Sequence, residues 1–408
     1  MQTKPQDDAQ LTYRYDCWRA AFLGICEAGW VTFGLLIVIR GFGADDESWS
    51  SIGIKSLITS AGFVGLLLTS LSLSFVSRSR LPATRAISIY LVLAGAMLLA
   101  ASSAGSLYWF AALFVVANII SAQQAPLMAE TYAINYESRQ RGKRVSTVIM
   151  IIAFSSVLFS AAGGWLLDTN FDWFPGILIA MAVACFINAF WVRKIPSKPL
   201  ASHEVRNPLR NFSLIWSDKV FGWLLGAKML MGLANFMTLP IRVEVLADPR
   251  YGINASNEQV ALATVILPSI AKIVSSKFWG ALFDRWNYIP WRIAVNACFI
   301  VGILLFFTGS SLPVIYLGAL LVGFGMGGSL ISWNLWITKI VDSDKVSAYM
   351  SVHTTLTGIR GILAPFLGYV VLLFLAPTGL AIVCALSIGL SSLMYARMWN
   401  HECFRFRD

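Results

Sequence analysis

Residues 19–39 read RAAFLGICEAGWVTFGLLIVI, with one arginine at the start, one glutamate within, and otherwise apolar or small side chains. A helix crosses the hydrocarbon core of a bilayer with about 20 such residues. The stretch therefore predicts a membrane span, closed by the acidic Asp45, Asp46 and Glu47. The same reading repeats along the chain. Runs from Gly53 to Val76, Ala86 to Ser103, Leu107 to Tyr132, Val145 to Leu167 and Phe174 to Val192 complete a first set of six. A second set runs from Val220 to Leu246, Val260 to Phe283, Ile293 to Gly309, Leu312 to Thr338, Val346 to Leu375 and Thr378 to Met398. Between the sets lies a long hydrophilic stretch, Arg193 to Lys219, carrying Pro196, Pro199 and Pro208. The expected fold is an all-α membrane protein with twelve transmembrane helices in two six-helix pseudo-symmetric bundles. These occupy residues 1–192 and 220–408, with a linker at 193–219.

Composition points the same way. Of 408 residues, 57% are hydrophobic and 13% charged, against roughly 45–50% and about 25% in soluble domains. So few charges cannot cover a water-exposed surface of this size, and so many apolar residues exclude disorder. The net charge of +10 reads as membrane topology before nucleic-acid binding, because cytoplasmic loops of membrane proteins are enriched in Lys and Arg. With the N-terminus, the even-to-odd loops and the C-terminus on one side, that side gathers most of the basic residues, among them Arg78, Arg80, Arg85, Arg141, Arg144, Lys194, Arg285, Arg292 and Lys345. The opposite loops offer Arg40, Lys55 and Arg250. Both termini are thus expected in the cytoplasm, in the inner membrane if the cell is bacterial. The polar first sixteen residues do not read as a cleavable signal. Cys17, Cys26, Cys185, Cys298, Cys384 and Cys403 show no CxxC spacing and read as packing residues.

The two sets of spans look duplicated. Arg78 and Arg85 recur as Arg285 and Arg292, 207 residues on, and Arg144-Val145-Ser146 recurs as Lys345-Val346-Ser347, 201 residues on. Each pair sits at the equivalent place of its set, as in transporters built from parallel repeats. The segment Gly280-Ala-Leu-Phe-Asp284-Arg285, followed by Arg292, resembles the cytoplasmic loop motif of the major facilitator superfamily, Gly-x-x-x-Asp-Arg-x-Gly followed by basic residues. The six-plus-six layout is similar to that superfamily across the whole chain. Asn287 stands where the motif has its second glycine, and the first-half copy carries Leu73 and Ser77 in place of Gly and Asp. The resemblance implies gating roles for Arg78, Arg85, Asp284, Arg285 and Arg292, with Glu130 as a substitute partner in the first half. Phe159-Ser-Ala-Ala-Gly163-Gly164 in the fifth span lacks the Gly-Pro signature of drug/proton antiporters.

Ionisable side chains inside a bilayer cost roughly 2.5–3.5 kcal/mol on insertion scales, so each is a candidate for function. Glu27 lies in the first span, three residues before Trp30 and on its face. Lys228, Asn235 and Arg242 recur every seven residues, with Met231 and Thr238 between them, and form one polar stripe. Lys272 shares a face with Ser269 and Ser276, as do His353, Thr357 and Arg360. Bland readings stand beside these. Lys228 can snorkel, Arg242 can anchor or gate near the far boundary, and His353 can be a packing histidine. Glu27 either pairs with Lys228, Lys272 or Arg360, or carries a proton. In the tally the cations exceed the acids, and unpaired buried cations are costly. An anionic or zwitterionic solute would offset them, with Arg360 gripping bidentately and lysines acting as point charges.

In the superfamily the first, fourth, seventh and tenth helices line a central cavity. The resemblance therefore places Glu27, Trp30, Asn118, Gln124, Lys228, Asn235, Trp333, Asn334 and Trp336 beside one. Gln123 and Gln124 are adjacent, so one of the two points inward. Trp30, Trp333 and Trp336 can stack on a ring, although most of the fifteen tryptophans should be core or interfacial. Gly323-Phe-Gly325-Met-Gly327-Gly328 reads as close helix packing or a bend, since no strand or following Lys-Ser/Thr makes it a nucleotide loop.

The expected protein is a secondary active transporter, not an enzyme, that moves a small anionic or zwitterionic metabolite by alternating access. Its substrate set is Trp30, Asn118, Gln124, Lys228, Asn235, Lys272, Trp333, Asn334, Trp336, His353 and Arg360, with Glu27 coupling transport to protons. Partners are the solute, protons and membrane lipid, without nucleic acid, cofactor or metal, in a monomer. The alternatives are a proton-coupled sugar carrier, an exporter of small molecules, and a transporter-like receptor that binds without turnover.

Overall fold

The structure is a computed structural model and describes residues 4–44, 46–199, 208–341 and 345–401. Asp45, His203, Arg206, Cys403, Arg405, Arg407 and the side chains of Arg139, Asn334 and Ser347 lie outside the described residues. Among those described, twelve helices are long and apolar enough to cross a membrane. They are α1 (Asp7–Gly41), α2 (Trp49–Leu67), α3 (Ala83–Ser102), α4 (Leu107–Asn135), α5 (Gln140–Thr169) and α6 (Phe171–Arg193). Then follow α7 (Lys219–Ala247), α8 (Asn257–Arg285), α9 (Tyr288–Thr308), α10 (Leu312–Trp333), α11 (Ala348–Phe374) and α12 (Pro377–Ala396). No strand is described, and one isolated bridge joins Pro82 to Pro199. All-helical spanning is the solution hydrocarbon demands, because each backbone N–H and C=O must be bonded within its own segment.

Polar residues set several helix ends, as N-caps do by accepting otherwise orphaned N–H groups. Ser106 caps α4 by accepting from the Trp109 N–H, and Asp218 caps α7 by accepting from Phe221 N–H at 2.9 Å. Asn287 caps α9 by accepting from Ile289 N–H at 3.0 Å. That cap starts α9 at Tyr288 rather than at the expected Ile293, and so takes Arg292 out of the loop and into the helix. The expected basic loop 139–144 is likewise helical, part of a helix spanning Ser138–Thr169. The first span starts well before Arg19, and the second breaks at Leu68 before a further short helix, Thr69–Arg78.

Contacts divide the chain into two units. The first holds Met1–Asp46, Leu57–Arg206 and Ser256–Ala261, and the second Glu47–Ser56, Asn207–Ala255 and Leu262–Asp408. Within the first, α1 packs on α5 and α6, and α3 on α4 and α6. Val76, Ala86, Ile87, Leu91, Leu127, Met128 and Val192 form a core among these helices. Within the second, α7 packs on α11 and α12, and α9 on α10 and α12, so the same pairings recur six helices later. The glycine run of α10 is close packing: a Cβ at Gly323 would lie 2.5 Å from Pro268 of α8, and one at Gly325 would lie 2.9 Å from Phe299 of α9. Large apolar side chains such as Leu71, Phe154, Val274, Phe374 and Leu386 are exposed, which suits contact with lipid rather than water.

Candidate functional site

Both units carry polar clusters. In the first, α1 passes Glu27 and then turns π-helical over Gly29–Phe33, a distortion that recurs at functional sites. Glu27 is exposed and lines a cavity of about 300 Å³ together with Arg19, Trp30, Asn118, Gln124 and Tyr132. Arg19 is buried. Its Nε donates to Asp16 Oδ1 at 2.6 Å, its Nη1 to Gln124 Oε1 at 3.3 Å and its Nη2 to the Tyr132 hydroxyl at 3.0 Å. Gln124 also accepts from Asn188 Nδ2, whereas Gln123 turns away to donate to the Gly65 carbonyl at 2.8 Å. Trp30 is half-buried and meets Phe114 edge-on at 4.8 Å between ring centroids. In the sequence Arg19 is the arginine that opens the first apolar run. The signal that could have found it is Asp16, one helical turn earlier on the same face.

In the second unit three cations converge on one stretch of α7. Lys228 Nζ donates to Ser332 Oγ at 2.9 Å and lies 5.3 Å from the Trp336 ring centroid. Arg360 of α11 donates from Nη1 to the Lys228 carbonyl at 2.8 Å, stands over Phe236 at 4.9 Å and rests its guanidinium on Gly232. A Cβ at Gly232 would occupy the space the guanidinium fills. Arg292 of α9 donates to the Met231 sulfur at 3.0 Å and to Ser329 Oγ at 3.4 Å. Lys228 and Arg292 are 5% and 2% exposed, and Arg360 is half-buried. Among the described residues none of the three pairs with a carboxylate. The Nε atoms of Arg292 and Arg360 are buried without a hydrogen-bond partner. Arg292, placed by the resemblance in a cytoplasmic gate, thus belongs to a buried cluster.

The remaining expected residues divide. Trp336 and His353 are fully buried, so in this conformation they do not present a face to a solute. Trp336 stacks on Phe221 at 5.7 Å and donates from Nε1 to His353 Nδ1 at 3.4 Å, and together they wall in Lys228. Trp333, half-buried, tilts over His353 at 4.5 Å. Asn235 is engaged by Arg242, whose Nη2 donates to its Oδ1 at 3.2 Å and to Thr238 Oγ1 at 2.8 Å. Lys272 is half-buried and has no ion pair among the described residues. Arg78, Arg85, Asp284 and Arg285 are exposed and Glu130 is half-buried. No ion pair joins any of these five among the described residues.

A second site of charge went unread in the sequence. Lys55, assigned there to a loop, is 1% exposed at the start of α2, and its Nζ donates to Glu244 Oε1 at 2.6 Å. Glu244 is also buried. It accepts from the Tyr369 hydroxyl at 3.1 Å and lies 3.7 Å from Arg250. Arg250 donates to Asp248 at 2.6 Å, and that hydrogen bond raises its pKa above the usual arginine value.

The sequence model of the Major Facilitator Superfamily matches residues 18–365 and, in a second match, 229–400. No curated protein sequence matches the chain. Among solved structures, the nucleoside transporter NupG superposes with a TM-score of 0.70 at 15% identity, over 97% of this chain and 100% of its own. A D-xylose-proton symporter superposes at 0.72 and 13%, over 94% and 96%. The human organic anion transporter MFSD10 superposes at 0.63 and 15%, over 95% and 99%. Identities this low show a shared fold. With the sequence match covering most of the chain and the twelve-helix architecture beneath it, this chain is a member of the Major Facilitator Superfamily.

Proposed function

We propose that this protein is a secondary transporter that binds a small anionic solute on Lys228, Arg292 and Arg360 and moves it by alternating access, with both termini in the cytoplasm. One observation carries the reading: two buried cations and a half-buried third that have no acid among the described residues. Burying one unpaired charge already costs several kcal/mol, so the cluster is held at a stability cost that a negatively charged ligand would offset. The solved relatives include one named for organic anions and one for proton symport, and both chemistries fit. Glu27, exposed to its cavity, is the proton carrier in this scheme. Trp30, Asn118 and Gln124 border that cavity, and Lys272 and Trp333 supply further half-buried contacts in the second unit.

Flux into proteoliposomes tests the scheme, with solutes of different charge supplied with and without a pH gradient. Saturable uptake of an anion sustains it, and binding without flux would make the protein a receptor. Glu27→Gln is expected to lower gradient-driven accumulation at least tenfold while sparing exchange of solute across the membrane, because a glutamine cannot carry the proton. Unchanged accumulation would remove Glu27 from coupling. Gly232→Ala should raise the half-saturating solute concentration about tenfold, since the added methyl displaces the Arg360 guanidinium and misplaced ligating groups lose about that much or more. Wild-type affinity in that variant would show that the guanidinium's resting place is irrelevant to binding.

A further inference from the structure

We infer that the solute is or carries a compact dianionic head, a phosphate monoester or a free phosphate or sulfate ion, seated on Arg292 and Arg360. The inference rests on the anion reading above and goes further by counting charge. Arginine stays protonated at any physiological pH. Arg292 and Arg360 therefore contribute two positive charges whatever Lys228 does, and within the described residues no carboxylate answers them. A monoanion would leave at least one uncompensated, whereas a dianion neutralises both.

Hydrogen bonding points to the same ligand. Each guanidinium offers five donors. Arg292 spends its own on a thioether, a weak acceptor, and on a long bond to Ser329. Arg360 spends one on a carbonyl already inside a helix. The Nε of each is buried and bonded to nothing. The unmet donors call for an oxygen-rich acceptor that takes several N–H groups at once, as tetrahedral oxyanions do.

The size of that group follows from the anchoring. Arg360 is tied to the Lys228 carbonyl and Gly232, and Arg292 to Met231. Residues 228–232 rise about 6 Å along the helix. Two charges held over one turn fit a single dianionic head better than two carboxylates on an extended chain. Arg360, half-buried while the other two cations are sealed, is where such a head would enter.

The test is thermal unfolding of the purified full-length protein with sulfate, inorganic phosphate, nitrate, acetate and succinate at matched ionic strength. Wild type is compared with Arg360→Gln and Arg292→Gln. Any stabilisation shared by all three proteins is the general effect of excluded salts. The variant-sensitive part is the site. Sulfate and phosphate are expected to half-saturate that part at concentrations at least about 30-fold below nitrate and acetate, equivalent to about 2 kcal/mol, with succinate between them. Arg360→Gln, at the open edge of the cluster, should fold even if Arg292→Gln does not, and should lose the selectivity. Equal responses to monovalent and divalent anions would overturn the dianion while leaving the anion reading standing. A variant-sensitive response to no anion would overturn both.

Discussion

Replacing Arg360 with alanine is expected to lower uptake of the anionic solute at least 100-fold while leaving the protein as resistant to heat as wild type, or more so. The two halves of that outcome have separate causes. Arg360 lies within Coulombic range of Lys228 and Arg292, and like charges at such range repel strongly where water is scarce. Its favourable contacts include a bond to the Lys228 carbonyl, a long one to the Met229 sulfur at 3.7 Å and the face of Phe236, and its Nε is unsatisfied. Removing the side chain relieves repulsion and an unmet donor together, so folding loses little. With solute bound the balance reverses. Truncating one partner of a buried, hydrogen-bonded charge pair costs about 2–5 kcal/mol, a loss of at least roughly 30-fold in affinity, and transport compounds it if occlusion needs the neutralised cluster. Arg360→Lys should recover only about tenfold of the loss, because it returns the charge without the planar fork. Tracer uptake in proteoliposomes, set beside the melting temperature of the same preparations, separates the two effects. Near-normal uptake by Arg360→Ala would remove the residue from the site. A large drop in melting temperature would make it a structural arginine.

Most of the fold can be read directly from hydropathy. Twelve spans are expected and twelve are found among the described residues, because the need to bond every backbone group in hydrocarbon leaves the chain little choice. Charge at helix ends is where the reading slips. Arg292 looks like a loop residue until Asn287 is seen to cap α9, and a shift of five residues moves a cation from water into the bundle. Arg19 looks like a boundary charge because the residues before it are polar, yet Asp16 neutralises it within the same helix. Trp336 follows the family pattern to the cavity helices, but Phe221 and His353 enclose it, and composition cannot tell one tryptophan of fifteen from another. Lys228 and Arg360 stand out in the sequence because a lone cation in an apolar run has no local explanation. Their convergence does not, since it depends on contacts made 132 residues apart.

The Lys55–Glu244 pair predicts the largest effect on stability, with an asymmetry between its partners. Both side chains are almost wholly buried. Breaking a buried pair from one side leaves the other charge without compensation, at a cost of about 3–5 kcal/mol. Glu244→Gln replaces the carboxylate facing the Lys55 ammonium, which also lies 4.9 Å from the Tyr369 ring centroid, with a neutral amide, so the buried ammonium loses this counter-charge. Lys55→Met strands Glu244 less severely, because the Tyr369 hydroxyl and Arg250 remain beside it. The melting temperature should therefore fall further in Glu244→Gln than in Lys55→Met. The double variant Lys55→Met/Glu244→Leu should recover most of the loss, because apolar side chains of similar volume remove both desolvation costs at once. A double-mutant cycle on these melting temperatures reads the coupling directly. Additive losses would show that the two residues act independently. A deeper fall in Lys55→Met would show that Arg250, at 38% side-chain exposure, is too well hydrated to stand in for the missing lysine.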